Sequence, residues 1–373
     1  MKHFKIPHAS HFVYIAMLGF LILTGCATPD SQNNPAPTAT PAPQEATESS
    51  YMVIPLTTGE VSPISACSYD LLHTVTSIQI FDSTDYSVLN ECFAVIDRYE
   101  KLLSRTLSGT EVYNINHSTD NTFTVSDDLR EILELSLYYG ELTDGALDIS
   151  IAPVSSLWDF SSLEHHAAVP AATELQEKLS LVDHKSITLQ GNSLSFSKDG
   201  MQLELGAVAK GFIADKVKEF LLSKGVTSAI INLGGNILLV GEKPDGSAFR
   251  VGVQKPFEDR DAIVVAICDL KDMSMVSSGI YERYFYDNNN NFYHHILDSK
   301  TGYPCDTDLL QVTIISPTSG VGDALSTACF ALGLEKGLQL INSIDDVYAV
   351  FLTANGTMYF SEGFMENIPT QTE

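Results

Sequence analysis

A chain of 373 residues, 44% hydrophobic and 9% aromatic, has the length and apolar content for one large folded unit or two ordinary ones. Wholesale disorder is excluded. Its 21 basic and 47 acidic side chains give a formal net charge of −26. That balance argues against a nucleic-acid partner, because phosphate binding needs clustered Lys and Arg, and it fits a soluble secreted surface.

The N-terminus reads as a targeting segment. Lys2 and Lys5 give a basic start, and residues 12–23 form an apolar run, shorter than the roughly 20 residues that span a bilayer. The run ends in Leu23-Thr24-Gly25-Cys26, which resembles the lipobox of bacterial lipoproteins. The resemblance implies that residues 1–25 are a signal peptide, that Cys26 is acylated, and that the chain is held at the extracytoplasmic side of the cell membrane. A plain secretion signal with a coincidental Cys, or a short buried helix, accounts for the same letters. Residues 27–50 are almost wholly Pro, Ala, Thr, Ser, Gln, Asn and Glu. With no apolar periodicity to offset the entropy of ordering, they are expected to be a flexible tether. Folded structure is expected from Ser68, leaving 26–67 as anchor and linker and 68–373 as one catalytic unit of one or two lobes. Cys67, Cys92, Cys268, Cys305 and Cys329 contain no C-x-x-C pair, so a thiolate zinc site is not indicated.

From there strands and helices mix. Residues 74–81 read as a strand, and 87–103 as a helix with Val88, Leu89, Cys92, Phe93, Ile96, Tyr99 and Leu103 on its apolar face. Ser126 caps a helix running to 139, with Asp127 and Asp128 in the first turn. Thr173 and Gln176 fit a capping box for a helix to 179. Residues 187–189 and 194–196 flank a hairpin turn. Residues 207–224 form the longest helix after the leader, burying Val208, Phe212, Ile213, Val217, Phe220 and Leu221 and stopped by Gly225. Strands are expected at 229–233, 237–240, 249–253, 263–267 and 311–316. A helix at 323–332 follows, then a hairpin of 347–353 with 357–360 turning on Asn355-Gly356. Strands come in runs without strict alternation with helices, so the fold class is α+β, mixed sheet and helix.

Four polar clusters stand where a plain core would be apolar. The first, Asp144-Gly145-Ala146-Leu147-Asp148, leaves a helix and is followed by the only Trp, Trp158; glycine there lets backbone approach a ligand, and a capped turn explains it equally. The second is LELGAVAKG, residues 203–211, where a strand is expected to meet a helix N-terminus with Lys210 in the first turn. Helix-start N–H groups and a Lys attract phosphate, though a tight turn with a solvated Lys fits too. The glycine spacing is that of neither a P-loop nor a dinucleotide fingerprint. The third joins Ser277-Ser278-Gly279, Tyr281 and Arg283 to His294-His295-Ile296-Leu297-Asp298 and Thr301-Gly302-Tyr303-Pro304, and suggests a strand end with one imidazole inward. In the fourth, Asp323-Ala324-Leu325-Ser326-Thr327, Asp323 and Thr327 share a helix face. Their oxygens suit a hard cation such as Mg²⁺, or simply an acidic helix start with a Thr bonded back to its own helix.

Together these clusters resemble the ApbE family of FAD:protein FMN transferases, in the family's order and across nearly all of residues 70–335. GALDISIAPVSSLW, LELGAVAKGFIADKV, INLGGNI, VSSGIYERYF, HHILDSKTGYP and DALSTACFALG carry the match. The resemblance implies Mg²⁺ on Asp323, Thr327 and the Ala207 carbonyl. It implies FAD contacts from Glu204, Lys210, Ala146, Leu147 and Asp148, and His295 beside the diphosphate as the catalytic residue that positions or accepts the hydroxyl proton. Asn232, Gly234 and Gly235 match a turn lining the site. Leu72-His73-Thr74 falls where the family has Met-Gly-Thr, putting a ligand contact at Leu72, and Glu204 stands where Asp is commoner. The implied reaction moves FMN from FAD to a Thr or Ser hydroxyl of an acceptor protein and releases AMP. The acceptor implied belongs to a membrane electron-transport complex or is an extracellular flavoprotein. An FAD pyrophosphatase giving free FMN and AMP, or a non-catalytic flavin-binding lipoprotein, would use the same pocket.

Overall fold

The computed structural model describes residues 51–57, 62–160, 168–257 and 264–372. The leader, Cys26, the tether and Ile263, the first residue of one expected strand, lie outside them. The described chain belongs to a single compact unit beginning at Tyr51.

In chain order the early elements are β1 (Ile54–Pro55), β2 (Ile64–Ser68), β3 (Thr76–Ile80), α1 (Tyr86–Leu103), α2 (Glu111–Asn116), β4 (Thr122–Thr124), α3 (Asp127–Leu142), α4 (Ala152–Ser155) and α5 (Ala172–Leu179). Next come β5 (Ile187–Gln190), β6 (Ser193–Phe196), α6 (Gly206–Ser223), β7 (Ser228–Leu233), β8 (Asn236–Gly241), β9 (Phe249–Gln254), β10 (Val264–Leu270) and β11 (Ser274–Gly279). The chain closes with β12 (Tyr284–Tyr286), β13 (Phe292–His294), β14 (Leu309–Ser316), α7 (Ser319–Leu332), α8 (Leu334–Ile341), β15 (Tyr348–Thr353), β16 (Met358–Phe360), α9 (Phe364–Asn367) and β17 (Thr370–Thr372).

A nine-stranded sheet in the order β1-β2-β3-β7-β8-β11-β14-β15-β16 forms the spine, and its neighbours all pair antiparallel. Successive side chains of a strand point to opposite faces, and this sheet buries both. Ile78, Ile231, Leu238, Val240, Val312, Ile314 and Phe351 join the core under α1, α3, α6 and α7. Leu239, Met275, Ile315 and Val350 face the other way, onto the small sheet β17-β10-β9. The α+β class holds.

The seven apolar residues expected to line α1 are its buried ones. Ser126 caps α3, its hydroxyl accepting the Leu129 N–H. Both expected hairpins form, β5 with β6 and β15 with β16. Several expectations need correction. The sheet already holds Ile54–Pro55 and Ile64–Ser68, so folded structure starts before Ser68. Thr173 is inside α5, whose cap is Ala171 with no side-chain bond, so the capping box is not used. No strand runs directly into α6: 201–205 is held instead by the Asn116 side chain, which bonds both the N–H and the C=O of Leu203, and by Glu204 N–H to Ile149 O at 2.7 Å. Phe220 is only half-buried. Helix α7 starts at Ser319, four residues ahead of Asp323. The five described cysteines are buried and free.

Candidate active site

The site is built on the crossing of α6 and α7. Gly211 of α6 has no room for a side chain: a Cβ there would lie 2.2 Å from the Ser319 carbonyl oxygen and 2.8 Å from the Asp323 Cβ. Gly322 likewise lets α7 sit against Val276 and Ser316 of the sheet. Asp323, in the second turn of α7 rather than at its start, is 3% exposed. Its Oδ2 accepts the Gly211 N–H at 2.9 Å, and Oδ1 is 3.6 Å from Lys210 Nζ. Burial raises its carboxyl above the usual range, against the opposing pull of Lys210 and the Gly211 N–H. Lys210 is the fifth residue of α6, just past the first turn. One turn beyond Asp323, Thr327 Oγ1 lies 3.2 Å from Ser278 Oγ, itself 2.8 Å from Ser326 Oγ. The second, third and fourth clusters therefore meet here.

The donor set fits a hard cation. In a regular helix the Gly211 N–H pairs with the Ala207 carbonyl. The bond from that N–H to Asp323 therefore brings the Ala207 carbonyl and the Asp323 carboxylate around one group. Among the described residues no group of three or more His, Cys, Asp or Glu could hold a metal ion. One carboxylate, one hydroxyl and one carbonyl make a sparse all-oxygen set, of the kind that leaves room for waters and phosphate oxygens.

The first cluster forms a wall tied to the third. Ser299 Oγ donates to Gly145 O at 2.6 Å, and Trp158 Nε1 donates to Gly302 O at 3.0 Å. Asp148 is 8% exposed and fully engaged. Its Oδ1 accepts Ser150 N and Oγ, and its Oδ2 accepts the His184 N–H. Leu147 is core and Ala146 half-buried. Leu147's side chain is thus committed to the core and Asp148's carboxylate to bonds within the protein, which leaves only their backbone for any ligand. Beneath the loop is His184, which sequence reasoning missed; a Cβ at Gly145 would lie 3.0 Å from its Nδ1.

The two adjacent histidines divide their roles. His294 ends β13 buried, with Nε2 3.2 Å from Cys305 O and Nδ1 accepting Ile296 N–H. Burial pushes it down to about 4. The half-buried His295 places Nδ1 3.2 Å from Arg283 O. Burial first, then the His294 ring and the charges of Arg283 and Lys210, hold it well below the ordinary histidine value.

On the next side, Leu72 and His73 both take positive φ, 57° and 52°. That backbone is costly for non-glycine residues, and His73 is the one of the two that falls on the glycine of the Met-Gly-Thr stretch in the resembled family. Thr74 packs on the Asn232–Gly235 turn: a Cβ at Gly234 would lie 2.5 Å from Thr74 Oγ1, and Gly235 N–H donates to Asn232 Oδ1 at 2.9 Å. Glu204 is ion-paired with Arg105. A lone Arg in the turn after α1 gave the sequence no signal for that partnership, and nothing marked Asp215, whose carboxylate accepts the N–H groups of Ser319 and Gly320.

A helix crossing that gathers a carboxylate, a hydroxyl and a lysine on a nine-stranded α+β frame has the donor chemistry a phosphate-handling site needs. The chain belongs to the ApbE family, which it matches over residues 72–352. It is similar to a Klebsiella pneumoniae (strain 342) protein named FAD:protein FMN transferase, 35% identical over 282 residues that cover 75% of this chain and 86% of the relative. A Treponema pallidum (strain Nichols) protein of the same name is 32% identical over 301 residues, 76% of this chain and 82% of the relative. Among solved structures, Pseudomonas stutzeri flavinyl transferase ApbE in its apo form superposes with a TM-score of 0.70 at 26% identity, covering 83% of this chain and 99% of that one. Flavin transferase ApbE from Vibrio cholerae shares the fold, with a TM-score of 0.71 at 22% identity, covering 85% and 99%.

Proposed function

We propose that this chain is an FAD:protein FMN transferase that moves FMN from FAD to a Thr or Ser hydroxyl of an acceptor protein. The observation that carries the reading is the α6–α7 crossing at Gly211, with Asp323 Oδ1 3.6 Å from Lys210 Nζ and Thr327 one turn on. The acceptor oxygen attacks the FMN-side phosphorus, the bond from that phosphorus to the AMP oxygen breaks, and AMP leaves. Asp323, Thr327 and the Ala207 carbonyl would hold Mg²⁺, which would neutralise diphosphate charge and polarise phosphorus. Lys210 adds a point charge to the same phosphates. His295, with the Nδ1 proton directed to the Arg283 carbonyl, leaves Nε2 as acceptor for the hydroxyl proton. Ala146, Leu147 and Asp148 wall the flavin nucleotide, Leu147 and Asp148 through backbone, and Leu72, Glu204 and Lys210 complete the contacts. Positioning and electrostatics supply most of the rate, as in other phosphoryl transfers.

The same proposal places the enzyme on the extracytoplasmic side of the membrane, anchored through Cys26 and the Pro- and Ala-rich tether. Its acceptor belongs to a membrane electron-transport complex or is an extracellular flavoprotein. The lipobox-like Leu23-Thr24-Gly25-Cys26 supports the anchor.

The test is incubation with FAD, Mg²⁺ and acceptor proteins carrying a Thr flavinylation motif, followed by mass spectrometry. An FMN-sized adduct with stoichiometric AMP, both lost on adding EDTA, is expected. AMP with free FMN and no adduct on any acceptor would make the chain an FAD pyrophosphatase. Bound FAD with no AMP would make it a flavin carrier.

A further inference from the structure

A second ion pair enters the site from a segment that none of the matching stretches contains. Arg105 lies on the turn after α1, and its Nε pairs with Glu204 Oε2. Its other arm, Nη1, donates to Ser156 Oγ at 2.8 Å. Ser155 Oγ approaches the same Glu204 oxygen at 3.4 Å, and Gly206 N–H donates to Oε1 at 3.3 Å. The glutamate is thus gripped at both oxygens, at the mouth of the segment leading into α6. The two side chains are 29% and 26% exposed, and a cavity of about 270 Å³ opens beside Arg105, between Tyr113, His117 and Gln202.

We propose that Arg105 is a positioning residue for the flavin dinucleotide, fixing the Glu204 carboxylate in one orientation and offsetting its charge where an anionic substrate docks. The proposal rests on the functional reading above. Glutamate has several soft torsions, and holding one rotamer costs conformational entropy on each binding event unless the free protein already holds it. The planar guanidinium is suited to this, since one arm binds the carboxylate while the other is fixed to a neighbouring hydroxyl. Charge makes the second contribution. In a chain of net charge −26, an unpaired carboxylate near a diphosphate repels it, and a cation in contact cancels most of that field.

The experiment compares the full chain with R105A, R105K, E204A and the R105A/E204A double variant. It reads KM and kcat from AMP release, Kd for FAD from flavin fluorescence, and Tm. R105A is expected to raise KM and Kd about ten-fold with kcat within about two-fold; Tm moves little because a partly exposed pair contributes little stability. R105K recovers part of the affinity, having lost one of the two arms. The double variant is no worse than the worse single one, because Arg105 acts through Glu204. Unchanged KM and Kd in R105A, a fall in Tm alone, or fully additive effects would overturn the assignment. Wild-type chain that binds FAD and releases no AMP would sink the functional reading and leave the Kd comparison to decide Arg105. Wild-type chain that does not bind FAD would sink both.

Discussion

Gly211 and Asp323 share one hydrogen bond across two helices, 2.9 Å from the glycine N–H to the aspartate Oδ2, and that bond exists because glycine has no Cβ to hold the helices apart. The contact joins the segment carrying the Ala207 carbonyl to the helix carrying Thr327, so helix packing and the geometry of the proposed metal site are one feature.

Gly211→Ala should therefore act on both. The added methyl meets backbone at 2.2 Å, which cannot rotate away, and overpacking of this kind costs about 1–3 kcal/mol. Tm should fall by several degrees, and the Mg²⁺ concentration for half-maximal AMP release should rise. Wild-type Mg²⁺ dependence in a variant that is merely less stable would show the crossing does not set the site.

Asp323→Asn separates folding from function. The carboxylate is buried, and burial raises its carboxyl above the usual range, so removing the charge relieves a desolvation cost. Metal-free Tm should be equal to or above that of the wild type, as for other residues that trade stability for activity, while AMP release drops about a hundred-fold or more. Mg²⁺ should raise the Tm of the wild type and leave that of the variant unmoved. A variant with appreciable Mg²⁺-dependent turnover would remove Asp323 from the ligand set.

How legible this was in the sequence depended on how local each cause is. The α1 face, the Ser126 cap and the Asn355-Gly356 hairpin were readable because each follows from residues a few positions apart. Strand β2, Ile-Ser-Ala-Cys-Ser, was missed because its small residues lack a strand's apolar alternation, although all five are buried between neighbours. The start of α7 was missed because Ser319-Gly320-Val321-Gly322 reads as a turn. Its cap comes instead from Asp215, 104 positions away, which accepts Ser319 N–H at 2.8 Å. The proposed site residues Asp323, Thr327, Lys210 and His295 were singled out through the order of their motifs. Arg105 and His184 were not, since each acts through a partner distant in sequence.

That remote cap gives a stability prediction. Asp215 accepts both Ser319 and Gly320 N–H groups at 2.8 Å, and an amide at 215 retains only one acceptor oxygen. Asp215→Asn should lose about 1 kcal/mol and weaken Mg²⁺ binding through the displaced start of α7. Burial raises the Asp215 carboxyl to about 6 from 3.8. A raised folded value means its stabilising contribution is present below pH 3.8 and lost as pH rises through 6. The Tm difference between wild type and variant should therefore shrink from pH 4 to pH 6. A difference that grows with pH would refute the sign.

His294 works in the opposite direction. Its folded value lies near 4, below the ordinary 6.5, so the neutral ring contributes stability above pH 6.5 that is lost as pH falls through 4. The loss is on the order of 3 kcal/mol at about 1.4 kcal/mol per unit. Wild-type Tm should drop across that window, and His294→Gln should flatten the drop while lowering Tm at pH 7. An equal acid dependence in both proteins would place the titrating group elsewhere.

The role proposed for His295 would tie pH to catalysis. In the free chain burial and the charges of His294, Arg283 and Lys210 keep the imidazole neutral, so kcat/KM, which reports the free enzyme, should show no acidic limb near pH 6.5 from this residue. A bound diphosphate brings negative charge beside the same cations and offsets their effect, which moves the ring back toward its ordinary value and makes it a stronger base. The kcat profile, which reports the bound state, should therefore gain an acidic limb that kcat/KM lacks, and His295→Gln should remove it while cutting kcat about a hundred-fold. Nuclear magnetic resonance of the ring with and without ADP, as a non-reacting diphosphate, measures the shift directly. A His295 resonance that titrates near 6.5 without ligand, or that fails to move with it, would assign the proton transfer to another group.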